Sequence, residues 1–395
     1  MGPKGFRQKM FLTHPLPVFK VPMMKVPLFC PDYTNQPHLE AFNKVCQSII
    51  QSGKYILGEA VEQFEHQFAD QNHCKYAVGV SSGTDALLIA LQALGIQPND
   101  EVLCPSFTFF ASASTIARLG AQPVWVDVHT NNYLIDLADA EKKVSSRTKA
   151  IVVVHLFGQS CEPNEVKAFA QRHHLKIIED VAQAQGAKSQ NLLTGSWGDV
   201  AAFSFFPTKN LGGFGDAGMV TTQDTALFEK IKCLRVHGSH VTYEHLYLGG
   251  NFRIDTLQAA LLAIKLPYVD EAISKRRANA ERYLSALQGI DSLCLPNNPS
   301  DGYHTWNQFT VRVLNRKRDE LKAFLAQQAI GSAIYYPKTL DQQPSLRSIS
   351  TDQGIPTARA HQLTQEVLSL PIYPGLTTEQ IDWVCRAIQN FFSAR

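Results

Sequence analysis

Between residues 75 and 225, short β-rich runs alternate with longer stretches whose apolar positions recur at helical spacing. The runs YAVGV (76–80), PVWVDV (123–128), KAIVVVHLF (149–157), LKIIED (175–180), VAAFSF (200–205) and GMVTT (218–222) read as strands. Most are apolar throughout, which suits strands covered on both faces. Among the intervening helices, TDALLIALQAL sets Leu87, Leu91 and Leu94 on one face, and Gly95 supplies its stop. The alternation predicts an α/β domain whose sheet is flanked by helices.

The pattern then changes. Residues 255–287 read as a helical stretch long enough to carry the chain into a second unit, followed by a strand at 307–313 and a helix at 318–328. The last segment opens with a capping box, Thr377 to Gln380, and sets Ile381, Val384, Cys385, Ile388 and Phe391 on one face. A smaller α+β domain is expected at the C-terminus. The boundaries expected are 1–25 for an N-terminal extension, 26–265 for the large domain and 266–395 for the small one.

Composition narrows the function classes. A chain of 395 residues that is 45% apolar can bury a large core in two or more domains. A net charge of +2 with interspersed signs offers no basic stripe for nucleic acid and no polybasic membrane contact. The eight cysteines are scattered without a C-x-x-C pair or zinc spacing, so they read as reduced, mostly buried thiols, and no metal is expected. No apolar run reaches bilayer length, and Phe6 stands where a myristoylation signal after Gly2 wants Ser or Thr. A cytoplasmic protein acting on a small molecule is the expectation.

Chemistry gathers at strand ends, where ligands of parallel α/β sheets collect. SSGTDALL (81–88) follows one strand and opens a helix, so amides around Gly83 and Thr84 can hold a phosphate. Asp180 ends another strand, and Ser204 ends a third, five residues before Lys209 and the glycines 212, 213, 215 and 218. Each feature has a plain alternative: Ser-Ser-Gly-Thr as an ordinary N-cap, Asp180 as a helix cap, Lys209 as a loop lysine. Together they supply what pyridoxal phosphate requires, namely an amine for a Schiff base, a carboxylate for the pyridine nitrogen, and donors for the phosphate.

The ordered blocks GTDALLIAL, PSFTFFASASTIARLGAQPVWVDV, TKAIVVVHLFGQ, IIEDVAQAQGA, GDVAAFSFFPTKNLGGFGDAGMVTT and GGNFRIDTLQAAL resemble those of the DegT/DnrJ/StrS nucleotide-sugar aminotransferases, from about residue 25 to the C-terminus. The resemblance implies the fold-type I architecture of pyridoxal phosphate enzymes and a homodimer with active sites at the subunit interface. It implies that Lys209 forms the Schiff base, that Asp180 pairs with the pyridine nitrogen, and that Gln183 lies against the ring near its 3-hydroxyl. Gly83, Thr84 and Ser204 match phosphate contacts, and Phe109 matches the aromatic residue stacked on the ring, with a core phenylalanine as its alternative. Asn251 matches a residue reaching the phosphate of the neighbouring subunit. His304, Tyr336 and Arg235 are candidate sugar-nucleotide contacts, and His155 a candidate cofactor contact.

Lysine rather than histidine at position 209 argues for transamination over dehydration. The resemblance is strongest to enzymes aminating a UDP-linked 3-keto sugar, with L-glutamate as the implied donor. One departure stands near YYPKTLDQQ (335–343), where Thr339 and Asp341 replace the family's usual proline and histidine. Two other readings stay open. Cysteine desulfuration needs a loop cysteine, for which Cys294 is the candidate, and a cofactor-binding regulator needs no free amine.

Overall fold

The computed structural model describes residues 24–241, 243–299, 302–347, 349 and 357–393. The expectations concerning residues 1–23, an extension and no acyl anchor at Gly2, lie outside the described residues.

The six expected strands form, and a seventh joins them: β1 (Tyr76–Val80), β2 (Glu101–Pro105), β3 (Gln122–Val126), β4 (Thr148–Val154), β5 (Lys176–Asp180), β6 (Val200–Ser204) and β7 (Gly218–Thr222). They build one sheet in the order β1-β7-β6-β5-β4-β2-β3. Only β7 runs antiparallel to its neighbours, so the sheet is mostly parallel and the other six strands end at one edge, where β7 begins. The run EVLCP hides β2 because it opens on a glutamate. Glu101 is fully buried, yet Ser145, Thr148 and Arg147 all donate to its carboxylate, which satisfies the charge.

Strand β4 stops at Val154, earlier than its apolar run suggests, because Phe157 and Gly158 take positive φ (60° and 106°) and turn the chain. Helices cover the sheet. The helix α1 (Gly83–Ala93) is capped by Ser82, whose Oγ accepts from Asp85 N at 3.0 Å. With it, α2 (Ala111–Arg118), α3 (Pro163–His173) and α4 (Thr225–Arg235) enclose the main core around Val152, Ile178, Val102 and Phe169.

The expected helical stretch 255–287 is two helices, α5 (Thr256–Lys265) and α6 (Val269–Leu287), joined by a 3-10 turn at Leu266–Tyr268. Pro267 lacks the amide hydrogen that a continuous helix requires at that point. Helix α6 leads to a three-stranded antiparallel sheet, β8 (Leu293–Cys294), β9 (Phe309–Val313) and β10 (Val367–Leu370). This sheet shares a core of Tyr283, Trp306, Phe309 and Leu370 with the helices at Arg318–Gln327 and Thr378–Ser393. The capping box forms in both directions: Thr377 N donates to Gln380 Oε1 at 3.0 Å and Gln380 N to Thr377 Oγ1 at 3.2 Å. The apolar face from Ile381 to Phe391 is buried as expected. Between β9 and β10 the chain returns to the main core, where Leu340, Leu346, Ala360 and Leu363 pack.

Candidate active site

A cleft of about 420 Å³ opens at the carboxyl edge of the large sheet. Its wall carries Gly83, Thr84, Phe109, Asp180, Gln183, Ser204 and Lys209, seven of the eight site residues expected from the sequence. Asn251 is not in that wall. It is exposed, bridged to Val236 beyond the end of α4.

Three strand termini meet at one side. A Cβ at Gly83 would come within 2.6 Å of Ser204 Cβ, and one at Gly218 within 2.5 Å of Ser82 O. Only glycine lets β1, β6 and β7 approach this closely. The approach leaves the first turn of α1 open toward the cleft, and its free N–H groups with the Ser204 hydroxyl form a concavity suited to an anion.

Asp180 ends β5 in the floor and is 5% exposed. Ser112 Oγ donates to its Oδ2 at 2.8 Å and Ala182 N to its Oδ1 at 3.1 Å. Burial still raises its pKa, against the pull of these donors, Lys209 and His155. A cationic N–H placed against this carboxylate would complete its pairing. Gln183 sits two residues into the next turn with both ends of its amide used: Oε1 accepts from Phe157 N at 2.8 Å and Nε2 donates to Tyr336 OH at 3.0 Å.

Lys209 lies half-buried in the turn after β6. Its amine makes no hydrogen bond or ion pair among the described residues. Burial lowers its pKa to about 8, with Asp180 opposing. Its uncharged form is therefore present at lower pH than that of an ordinary lysine, which suits a nucleophile or base. The turn is braced by Asn307, whose Nδ2 donates to Thr208 O and to Asn210 Oδ1, both at 3.3 Å. Phe109 is 55% exposed at the mouth, its ring 6.2 Å from that of Tyr336.

Other expectations land differently. Tyr336 lines the cleft, but Arg235 is buried against Glu65 and the carbonyl of Gly79 behind β1. His304 stacks on Trp306 at 3.8 Å, accepts from Trp306 N, and is held near pKa 3 by burial and Arg277. The ring of His155 is turned away from the cleft: Nδ1 accepts from Cys161 N at 3.0 Å and Nε2 lies 3.1 Å from Glu179 Oε2. Cys294 is in strand β8, not a loop, and lines a different cavity. Thr339 is fully buried and Asp341 pairs with His361 Nε2 at 2.7 Å, so neither departure position faces the cleft. Residues the sequence reading missed are Ser112, Thr208, Asp216 and Gln308. Of these, Ser112 left a signal, a hydroxyl one helical turn from Thr108 on a buried face.

Comparison with known proteins follows the same lines. The model of the DegT/DnrJ/EryC1/StrS aminotransferase family matches residues 38–389. A UDP-N-acetyl-3-dehydro-alpha-D-glucosamine 3-aminotransferase of Acidithiobacillus ferrooxidans is 42% identical over 342 residues, 87% of this chain and 91% of that one. A "pleiotropic regulatory protein" of Geobacillus stearothermophilus is 42% identical over 351 residues, 88% of this chain and 94% of that one. Among solved structures, DesV of S. venezuelae, crystallised with a ketimine intermediate, superposes with a TM-score of 0.89 at 38% identity, covering 93% of this chain and 98% of that one.

Proposed function

The chain belongs to the DegT/DnrJ/EryC1/StrS aminotransferase family, and from that premise we propose that it moves an amino group from L-glutamate to a keto sugar carried on a nucleotide. We take the substrate to be a UDP-linked 3-keto sugar, made into an amino sugar for a surface polysaccharide or a glycosylated metabolite. The observation that carries the proposal is that Lys209 and Asp180 share one cleft beside the open first turn of α1.

The residues present fit pyridoxal 5'-phosphate. The Gly83–Ser204–Gly218 concavity suits its phosphate, Asp180 its ring nitrogen, Gln183 the 3-hydroxyl side, and Phe109 a ring face. When bound, this cofactor supplies an electron sink for the bond that is broken at the amino-acid carbon. Lys209 would hold the cofactor through Nζ, and the same Nζ, when free and with its basicity lowered by burial, would be the group that moves the proton. Asp180 would keep the ring nitrogen protonated, because an uncompensated carboxylate at that depth is costly and a facing cation would restore its pairing.

We further read the active unit as a homodimer in the cytoplasm. Among the described residues Lys209 is the only basic one in the cleft wall, where Asp180 and Asp216 add negative charge, so a doubly phosphorylated nucleotide needs donors from elsewhere. Phe206 in the cleft wall and Phe110 beside Phe109 at its mouth stand exposed, which suits a covering subunit. Asn251 is then a donor offered across the interface. All eight cysteines are free, in keeping with a reducing compartment.

The test is the visible absorption of the purified protein with pyridoxal phosphate, before and after L-glutamate, followed by a UDP-linked 3-keto sugar and mass spectrometry of the product. A visible band that glutamate bleaches and the keto sugar restores, with an aminated product, is the expected result. Absence of any band overturns the role of Lys209. A band that bleaches but is restored by no keto sugar favours the regulator reading, which the name of the Geobacillus relative keeps in view.

A further inference from the structure

Behind the turn that carries the half-buried Lys209 lies a buried lysine. Lys265 ends α5, is 7% exposed, and donates through Nζ to the carbonyl of Gly212 and to Asn35 Oδ1 at 2.9 Å. Its ammonium also sits 5.6 Å from the ring centre of Phe214. It borders a cavity of about 240 Å³ whose other titratable members are Tyr33, His38, Tyr268 and Glu271. Glu271 is no counter-ion here: it accepts from Tyr33 OH at 2.7 Å and lies 3.9 Å from Lys275 Nζ. Among the described residues Lys265 has no ion pair, and burial pulls its pKa down to about 8.

Burying a cation without a counter-ion disfavours folding, and an apolar side chain of similar length would be easier to bury. What the ammonium adds is direction, since it binds two oxygens from segments far apart in the chain. One of them is critical. Gly212 folds back so tightly that a Cβ there would lie 2.3 Å from Pro207 O, and Gly213 N closes on Phe205 O at 2.7 Å. Residues 205–213 are therefore one closed turn with Lys209 in its middle, held by Asn307 on one side and Lys265 on the other.

We propose that Lys265 is a positioning residue, fixing the glycine turn after Lys209 to the N-terminal segment at Asn35 so that the amine of Lys209 is presented at one depth in the cleft. The proposal rests on Lys209 being the reacting amine. Its test compares wild type with Lys265→Met and Asn35→Ala, each saturated with pyridoxal phosphate. The measurements are kcat, KM for the nucleotide sugar, melting temperature, and amide hydrogen exchange of the peptide spanning 205–216. Lys265→Met should lower kcat at least tenfold, leave KM within about threefold, and speed exchange in 205–216 alone. Asn35→Ala should do the same more weakly, and the double variant should lose no more than Lys265→Met. Exchange in 205–216 and kcat both at wild-type values in Lys265→Met would overturn the proposal. So would a large fall in melting temperature with exchange quickened throughout, which would make Lys265 merely structural, or additive losses in the double variant. Should wild type itself fail to turn over any keto sugar, it is the function that falls, and the exchange measurement still decides whether Lys265 holds the turn.

Discussion

The floor and the brim of the cleft are built on opposite principles. In the floor, Asp180 and Gln183 are nearly buried and their polar atoms are engaged, by Ser112, Ala182, Phe157 and Tyr336. At the brim, Phe109, Phe110 and Phe206 are more than a third exposed, and Asp216 faces solvent. The floor is complete within one chain, as a site must be that holds reacting atoms in fixed geometry. The brim is left exposed, as the proposed homodimer requires of a surface that a second subunit covers.

The sharpest way to break this contrast is at Lys209, whose amine has no hydrogen-bond partner among the described residues. Lys209→Ala should reduce turnover by at least ~10³-fold, in line with loss of a nucleophile that is also the proton carrier, while the variant still binds pyridoxamine phosphate; single-turnover kinetics and equilibrium dialysis check both halves. Next comes the brim. Asn251→Ala alone should weaken cofactor affinity, but mixed with Lys209→Ala subunits under exchange conditions it should recover activity, because one hybrid site then has both residues. No recovery on mixing would mean that each chain completes its own brim. Smaller again is Ser112→Ala. A hydrogen bond to a charged group contributes about 1.5–3 kcal/mol, so kcat should fall roughly ten- to a hundredfold with a further rise in the pKa of Asp180, read from the pH profile.

The mildest probe is pH. Lys209 is lowered to about 8 from an ordinary 10.5, so its nucleophilic form is present at lower pH than in free lysine. The rate at which apoprotein captures pyridoxal phosphate should climb through pH 8 and level off above it. The same depression makes the unfolded chain bind more protons between pH 8 and 10.5, so unfolding free energy should rise with pH across that window. Lys265 adds to the rise, and Lys265→Met should flatten it in denaturant titrations.

The cleft was legible in the sequence because Asp180, Ser204 and the Gly83 turn each stand at the end of a largely apolar run, and a parallel sheet brings such ends to one edge. What escaped reading depends on distance along the chain. Ser112 meets Asp180 across 68 residues, and Lys265 meets Asn35 across 230. No local pattern encodes such pairs. His155 shows the complementary failure, since it follows the end of β4 at the cleft's edge while its ring turns into the Glu179 network. The break at Pro267 was written in the sequence, but the apolar repeat on either side outweighed it.

The single reversed strand β7 sets a schedule as well as a shape. It is inserted between β1 and β6, so the crowded corner of Gly83, Ser204 and Gly218 joins segments that leave the ribosome at widely separated times. Strand β1 must wait without its native neighbour until residue 222 has been synthesised, exposing an unpaired apolar edge meanwhile. The nascent chain gains its anion cradle only then, and a cofactor cannot serve as a template for the earlier half of folding.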